Sequence, residues 1–468
     1  MSTVFWFTKD LRLQDNLALN LAIRSAAPAE GASHRVTAVY VADAGEYADL
    51  EGIRQHSLTE SLKALNSSLG GRLNVLHSPD ASGFGQQLAN AATAAGSNRV
   101  FATRLFDPQG KKLQLQVGRF LAGLGIHLIL EDSQYAVPPG SVAKPDGTPY
   151  RVYTPFFKAW CAIGWQAPVS LPDLKIEWRL IPASPGEPVP TKPAPFPVKA
   201  GEAFALRTFD RFKKRALNQY DEQRNRADLS GTSHLSHALA FGEIHPRTLL
   251  AQLGDSSAHE VYRKEIAWRE FYADVLWHNP HTLTEYYEPR FAEMRYDKGE
   301  LADARLAAWQ QGKTGYPMVD AGMRQLLRDG WMHNRVRMIV ASFLVKDLHL
   351  EWQQGAEWFE RHLSDFDPAS NTHGWQWTAG CGTDASPYYR IFNPILQGLK
   401  FDPNGDYVRK YVPELRHLDG ADVHTPWEVI GGYSNGYAAR VVDHDVERNE
   451  SLARLEEIKV PITGYREG

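Results

Sequence analysis

The first 135 residues alternate between short runs rich in β-branched and aromatic residues and longer Ala/Leu segments. TVFWF (3–7), RVTAVYVAD (35–43), RLNVLHS (72–78), RVFATRL (99–105) and IHLILED (126–132) read as strands. Segments between them, such as SLTESLKALNSSL (57–69), repeat apolar positions at helical spacing. This alternation predicts a parallel sheet wound on both faces. From about residue 204 the strand signal fades. EIAWREFYADVLWH (265–278), MVDAGMRQLLRDG (318–330) and WMHNRVRMIVASFLVKDLHLEWQQG (331–355) place apolar residues at i and i+3 or i+4, as helices do. Between the two regions, residues 168–197 contain nine prolines, which predicts a linker of polyproline II character. The expected architecture is an α/β Rossmann-like parallel-sheet domain (1–135), an interdomain linker (136–203) and an all-α domain (204–468).

The sheet carries one informative omission. Its first strand-to-helix turn, FTKDLRLQDN, has no glycine, so the GxGxxG phosphate turn of a dinucleotide-binding fold is missing. Two cysteines, Cys161 and Cys381, lie too far apart in sequence for a CxxC site and are too few for a disulfide framework. Lys9 and Asp10 interrupt the N-terminus before a signal-peptide core could form, and the longest apolar run, MIVASFLV (338–345), is too short for a bilayer span. A cytoplasmic, soluble, monomeric protein without a membrane partner is expected. Net charge is −4, which points to no nucleic acid globally. Residues 1–200 hold 19 basic against 16 acidic side chains, so a phosphate-binding surface must be a local patch. TFDRFKKRALNQYDEQRNR (208–226), with six basic and three acidic residues, is one candidate, and a solvated helix face is the plainer reading of it.

The C-terminal half concentrates unusual chemistry. SNTHGWQWTAGCGTDASPYYRIFNP (370–394) sets Trp375 and Trp377 two residues apart. On a helix they point about 200° from each other, toward opposite sides of one element. That spacing suits packing between two layers, and equally suits one indole toward a buried π-system and the other toward a substrate. WMHNRVRM (331–338) groups His333, Asn334, Arg335, Arg337 and Met338 within two turns. LSDFDPASN (363–371) offers Asp365, Asp367 and Asn371, and Asp365 is a natural carboxylate for a buried Arg337. GTSHLS (231–236) supplies hydroxyls and backbone N–H groups near a helix start, either a phosphate seat or an ordinary cap. No HExxH, GxSxG or P-loop pattern is present, and no metal site is expected. Aromatics, amides and basic residues on a helical frame suit a large organic cofactor facing nucleic acid.

FWFTKDLRLQDNLAL, RVYTPFFKAW, GTSHLS, EIAWREFY, KTGYPMVDAGMRQL, GWMHNRVRMIVASFLVKDL and SNTHGWQWTAGCGTDASPYYRIFNP resemble, in order, the photolyase/cryptochrome family, and within it the bacterial class I cyclobutane pyrimidine dimer photolyases. The resemblance implies FAD bound in a bent form in the helical domain, active as reduced FADH⁻. Tyr220, Thr232, Ser233, Leu235 and Ser236 would hold its diphosphate region, and Arg269 would lie against it. Arg337 and Asp365 would pair beside the isoalloxazine, Asp367 would bond its pyrimidine edge, and Asn371 would face N5. It further implies light-driven splitting of cyclobutane pyrimidine dimers in UV-damaged DNA. Trp268 and Trp377 would wall the flipped dimer, Glu265 and Asn334 would hydrogen-bond it, and Met338 would pack on it. Arg224, Arg335 and Arg390 would clamp DNA phosphates.

The chain departs from the family pattern in places. Trp375 and Trp352 match the first two members of an electron-hopping chain of three tryptophans, and Tyr296 stands where the third is expected; Trp309 is another exit. Thr8 occupies a position where relatives often have Arg, and TRLFDPQGKKLQ (103–114) matches neither the folate nor the deazaflavin antenna pattern. For a second, antenna chromophore, deazaflavin is the nearer expectation and an empty pocket the alternative. Cys381 stands in place of a usual Thr and is expected to be a buried, inert thiol. Asn334 and Met338 occupy positions that the (6-4) photoproduct branch fills with His, which favours the cyclobutane dimer. The rival expectation is a cryptochrome-type blue-light photoreceptor without repair activity.

Overall fold

The computed structural model describes residues 2–26, 33–43, 52–182, 199–384 and 389–459. By contact density the chain forms two compact units. One takes the chain up to Asp221, Thr232–Pro280 and Ser364–Asp367; the other takes Glu222–Gly231, His281–Leu363 and the chain from Pro368 onward.

The first unit is built on five parallel strands, β1 (Thr3–Phe7), β2 (His34–Asp43), β3 (Leu73–Ser78), β4 (Arg99–Thr103) and β5 (His127–Glu131), in the order β3-β2-β1-β4-β5. The strand expectations from sequence fall on these elements. β1 is central and buried along its whole length, which is why it reads as an unbroken apolar run. Its alternate residues serve two cores. Phe5 and Phe7 pack with Leu19 and Ile23 of α1 (Leu17–Ser25) and Leu62 and Leu65 of α2 (Gly52–Ser68). Val4 and Trp6 pack with Leu88 of α3 (Phe84–Ala95) and Val117 and Leu121 of α4 (Pro108–Ala122).

The glycine-free turn after β1 holds a buried polar network instead of a pyrophosphate seat. Asp10 accepts from Thr8 N (2.8 Å), Asn16 Nδ2 (3.0 Å) and Thr103 Oγ1 (2.6 Å). Arg12 donates to Gly242 O (3.0 Å) and Ser133 O (2.7 Å), and Arg247 donates to Asp15 (2.7 Å). Gly242 is required there: its φ is +65° and an added Cβ would lie 2.1 Å from Lys9 O.

The stretch expected as a linker (136–203) carries structure of its own. It contains α5 (Tyr153–Ile163) and a three-residue strand, β6 (Ile176–Trp178), which pairs in parallel with His34–Val36 of β2. After it come α6 (Glu202–Arg215) and α7 (Ser257–His278). Glu270 of α7 accepts from Ala136 N (2.6 Å), Val137 N (3.1 Å) and Trp160 Nε1 (2.6 Å), and Asp274 accepts from Gly140 N (2.7 Å). Buried carboxylates therefore bind this backbone to α7, and the contact grouping cuts across the expected break at residue 204. Much of the proline-rich part, residues 183–198, lies outside the described residues.

The second unit is helical: α8 (Glu300–Gln310), α9 (Pro317–Asp329), α10 (Asn334–Lys346), α11 (Trp352–His362), α12 (Pro368–Ala379), α13 (Pro394–Phe401) and α14 (His444–Glu457). α10 buries Val336, Ile339, Val340, Phe343 and Leu344. α14 is fastened by polar contacts: His444 Nδ1 with Asp347, His349 Nε2 with Glu447 (2.7 Å) and the ion pair of Arg454 with Asp297 (2.7 Å). Among the described residues no helix is long and apolar enough to cross a membrane.

Candidate functional site

In the first unit the candidate residues collect on α7 and the segments packed on it. Ser256 caps α7 by accepting from His259 N. Glu265, Trp268 and Arg269 then follow at i, i+3 and i+4, on one face. Trp268 is half-buried and stacks on Tyr153, with ring centroids 3.7 Å apart and planes 7° from parallel. Tyr153 is itself fixed by donating its hydroxyl to Lys264 O (2.7 Å), while Phe271 and Tyr272 touch Trp268 at 5.7 and 5.4 Å.

Arg269 donates Nη2 to Leu239 O (3.3 Å) and lies over the Tyr135 ring at 4.5 Å. Its Nη1 is buried without a hydrogen-bond partner among the described residues. Burial, and then the Asp367 carboxylate, push the Tyr135 phenol up, with Arg269 pulling it back. Tyr135, Arg269 and Asp367 thus form one electrostatic group. Asp365 is buried in the same short segment, whose Ser364 O meets His237 Nδ1 at 3.2 Å. Thr232, Ser233 and Leu235 precede a one-turn helix that begins at Ser236, and His234 among them takes a left-handed conformation (φ 53°). Tyr220 packs edge-on to Tyr262 (5.1 Å); burial pushes the Tyr262 phenol up, and a hydrogen bond with Ser233 opposes the shift.

In the second unit, α10 starts at a His333 cap whose Nδ1 accepts from Arg335 N (3.2 Å). Asn334 is exposed and Met338, one turn on, is half-buried, so both flank the helix face left open by its core residues. Arg337 donates Nε to Met332 O (2.8 Å). Arg337 and Asp365 belong to different units. Arg335 donates to Asn225 Oδ1 (2.9 Å), the residue that follows Arg224, and covers the Phe401 ring at 4.8 Å. Arg390 is exposed.

On α12 the two indoles part company as the spacing predicts. Trp375 is 3% exposed, edge-on to Phe359 (5.0 Å) and Trp309 (6.1 Å), and sits against Gly355 of α11, where an added Cβ would lie 2.1 Å from its Cη2. Trp377 is half-buried and donates Nε1 to Asp384 O (3.1 Å). Asn371 donates Nδ2 to Ala356 O (3.0 Å), which directs its Oδ1 away as an acceptor. Trp352 is buried and edge-on to Tyr286 (6.1 Å), which in turn stacks on Tyr296 (6.5 Å). Cys381 is fully buried, and burial pushes its thiol up, as an inert thiol requires.

Each unit by itself offers a group of the kind a flavin needs. The buried Nη1 of Arg269 calls for an acceptor, as a phosphate or an anionic ring supplies, and the Asn371 amide offers an oriented acceptor for a ring N–H. Sequence reasoning missed three members: Tyr153 behind Trp268, Tyr286 between Trp352 and Tyr296, and Asn225 bracing Arg335. Tyr153 and Asn225 lay within quoted stretches without a role, and Tyr286 carries no local signal.

Residues 3–173 match the family described as DNA photolyase, and residues 262–457 match that described as FAD binding domain of DNA photolyase. The deoxyribodipyrimidine photo-lyase of Agrobacterium fabrum is 39% identical, covering 97% of this chain and 98% of its own length. That of Alkalihalophilus pseudofirmus is 34% identical, covering 96% of each. The crystal structure of a bacterial class III photolyase from Agrobacterium tumefaciens superposes with a TM-score of 0.86 at 37% identity, covering 98% of both chains.

Proposed function

The chain belongs to the DNA photolyase family, a flavin-binding class of DNA-repair lyases, and we propose that within that class it splits cyclobutane pyrimidine dimers in UV-damaged DNA under blue light. Reduced FAD, when bound, supplies the photoexcited electron that opens the cyclobutane ring and takes it back afterwards.

The chain's own residues then have three tasks. The first is to hold the cofactor. Tyr220, Thr232, Ser233, Leu235 and Ser236 serve its diphosphate region, and Arg269, Arg337, Asp365 and Asp367 its charged and polar edges. Asn371 accepts at N5–H, and the arginines offset the negative charge of the reduced ring. The second task is to receive a dimer swung out of the duplex, at an unstacking cost of about a few kcal/mol that a distorted lesion lowers. Trp268 and Trp377 give apolar walls, Glu265 and Asn334 hydrogen-bond the base edges, and Met338 fills the remaining surface. Arg224, Arg335 and Arg390 hold phosphates and so position the strand without reading its sequence. The third task is to keep the cofactor reduced, with Trp375, Trp352 and Tyr296 relaying electrons inward from a reductant in solution.

The observation that carries the reading is the single face of α7 on which Glu265, Trp268 and Arg269 stand together, since one helix then serves both substrate and cofactor. The test uses chemically reduced protein, blue light and two oligonucleotides. One carries a single cyclobutane thymine dimer and the other a (6-4) photoproduct. Splitting of the first alone is expected. Splitting of neither, with flavin bound and photoreducible, would replace repair by a photoreceptor role.

A further inference from the structure

Arg390 has an exposed side chain, and its own carbonyl, the Tyr389 side chain and Phe392 N are each held by neighbouring helices. Lys346, the last residue of α10, donates Nζ to Arg390 O at 2.5 Å and stands 4.1 Å from the centre of the Tyr389 ring. One turn earlier on α10, Ser342 Oγ accepts from Phe392 N at 3.2 Å. Tyr389 shares a hydrogen bond with Ser451 of α14 (3.3 Å), and its ring packs over Gly380, where φ is +93° and an added Cβ would lie 2.9 Å from Cδ2. The backbone before, at and after Arg390 is therefore fixed to α10, α14 and the end of α12, while the guanidinium stays in solvent.

The choice of Lys346 for this work is costly. It is 2% exposed, and burying an ammonium carries a desolvation penalty before its contacts return anything. Burial pulls the amine down to about 7, against the opposing pull of the Cys381 and Asp347 groups that face it. A neutral amine still donates, so the bond to Arg390 O does not depend on the charge. An apolar side chain would fill the same space without desolvation. What it could not do is hold that carbonyl.

We propose that Lys346 is a positioning residue for DNA binding: it fixes the Arg390 backbone so that the guanidinium meets a backbone phosphate without first ordering its loop. This rests on the assignment of Arg390 as a phosphate contact. Pre-ordering a loop raises affinity by removing an entropic cost from binding, so Lys346 acts through Arg390 and touches no DNA itself.

The experiment measures affinity of the full chain for a duplex with one thymine dimer and for its undamaged counterpart, as a function of salt. The variants are Lys346→Met, Lys346→Gln, Arg390→Ala and the Lys346→Met/Arg390→Ala double. Arg390→Ala is expected to weaken both duplexes and flatten the log–log salt slope by about 0.9, one phosphate's worth. Lys346→Met should weaken both duplexes with the salt slope and flavin content unchanged, because the phosphate contact still forms once the loop is ordered; Lys346→Gln should recover part of the loss because it keeps a donor, and the double variant should bind no worse than Arg390→Ala. Wild-type affinity in Lys346→Met alongside a reduced one in Arg390→Ala overturns the proposal, as does an additive double variant. A wild-type slope in Arg390→Ala overturns the assignment beneath it. Should Lys346→Met fail to fold, Ser342→Ala cuts the neighbouring tie without touching a buried charge. Unchanged affinity there also overturns the proposal.

Discussion

Trp268 and Trp375 are both tryptophans on long helices, and they are seated in opposite ways. Trp268 has an aromatic slab behind it: Tyr153 covers one face at 3.7 Å, and the indole is otherwise half-exposed. Trp375 has a glycine under it and aromatic edges around it, with only 3% of its surface open. A backed ring with an open side is a rigid wall for another flat group. An enclosed ring among other rings can exchange electrons but cannot meet a substrate. The residue type is the same, and the packing assigns the work.

Trp375→Phe tests this division most sharply. Removing the enclosed indole is expected to abolish nearly all photoreduction of the bound flavin while sparing repair by enzyme reduced beforehand. Transient absorption and single-turnover repair read the two separately. Collapse of repair in the pre-reduced variant would show that Trp375 has another task and that the division is mistaken. Trp268→Ala is the reciprocal change. It should cost about 1–3 kcal/mol of dimer binding, the usual worth of one stacked base, with flavin retained and photoreduction normal. Unaltered affinity for dimer-containing DNA would remove Trp268 from the substrate wall.

Gly355→Ala attacks the seat rather than the ring. The new methyl would lie 2.1 Å from Trp375 Cη2 and 2.6 Å from Leu344 Cδ2, so α11 and α12 must shift apart. About 1–3 kcal/mol of stability should be lost, read as a lower midpoint in urea. Slower photoreduction should accompany it, and dimer binding should not change in the folded protein. An unshifted midpoint would mean that the seat adapts and that Trp375 is less tightly held than its burial suggests.

How far the sequence foretold these arrangements depends on distance along the chain. The five main strands were legible because each is a local run, and β1 reads as continuous because both its faces are buried. β6 was not, since three residues inside a proline-rich stretch make no pattern by themselves. The opposed directions of Trp375 and Trp377 followed from helical geometry alone. The slab behind Trp268 did not, because Tyr153 comes from a helix more than 100 residues earlier. Tyr286 was missed for a related reason: it stands between Trp352 and Tyr296 in space, but nothing in its own neighbourhood marks it. The resemblance named the residues expected to touch ligands and was silent on those that hold them in place.

The smallest effect is expected at that slab. Tyr153→Phe removes the hydroxyl that donates to Lys264 O and keeps the ring that stacks on Trp268. The lost bond should cost about 0.5–1.5 kcal/mol of stability, because the carbonyl it served belongs to α7 and keeps its own helical partner. Dimer affinity should stay close to wild type if the ring is what matters, since a phenyl group backs the indole as well as a phenol does. Tyr153→Leu then separates contact from stacking: it fills the space without a flat face, so dimer affinity should fall toward that of Trp268→Ala while the stability loss stays modest. If the phenylalanine variant binds dimers as poorly as the leucine one, the anchor to Lys264 sets the tilt of both rings, and the wall is aligned by a hydrogen bond rather than by the stack.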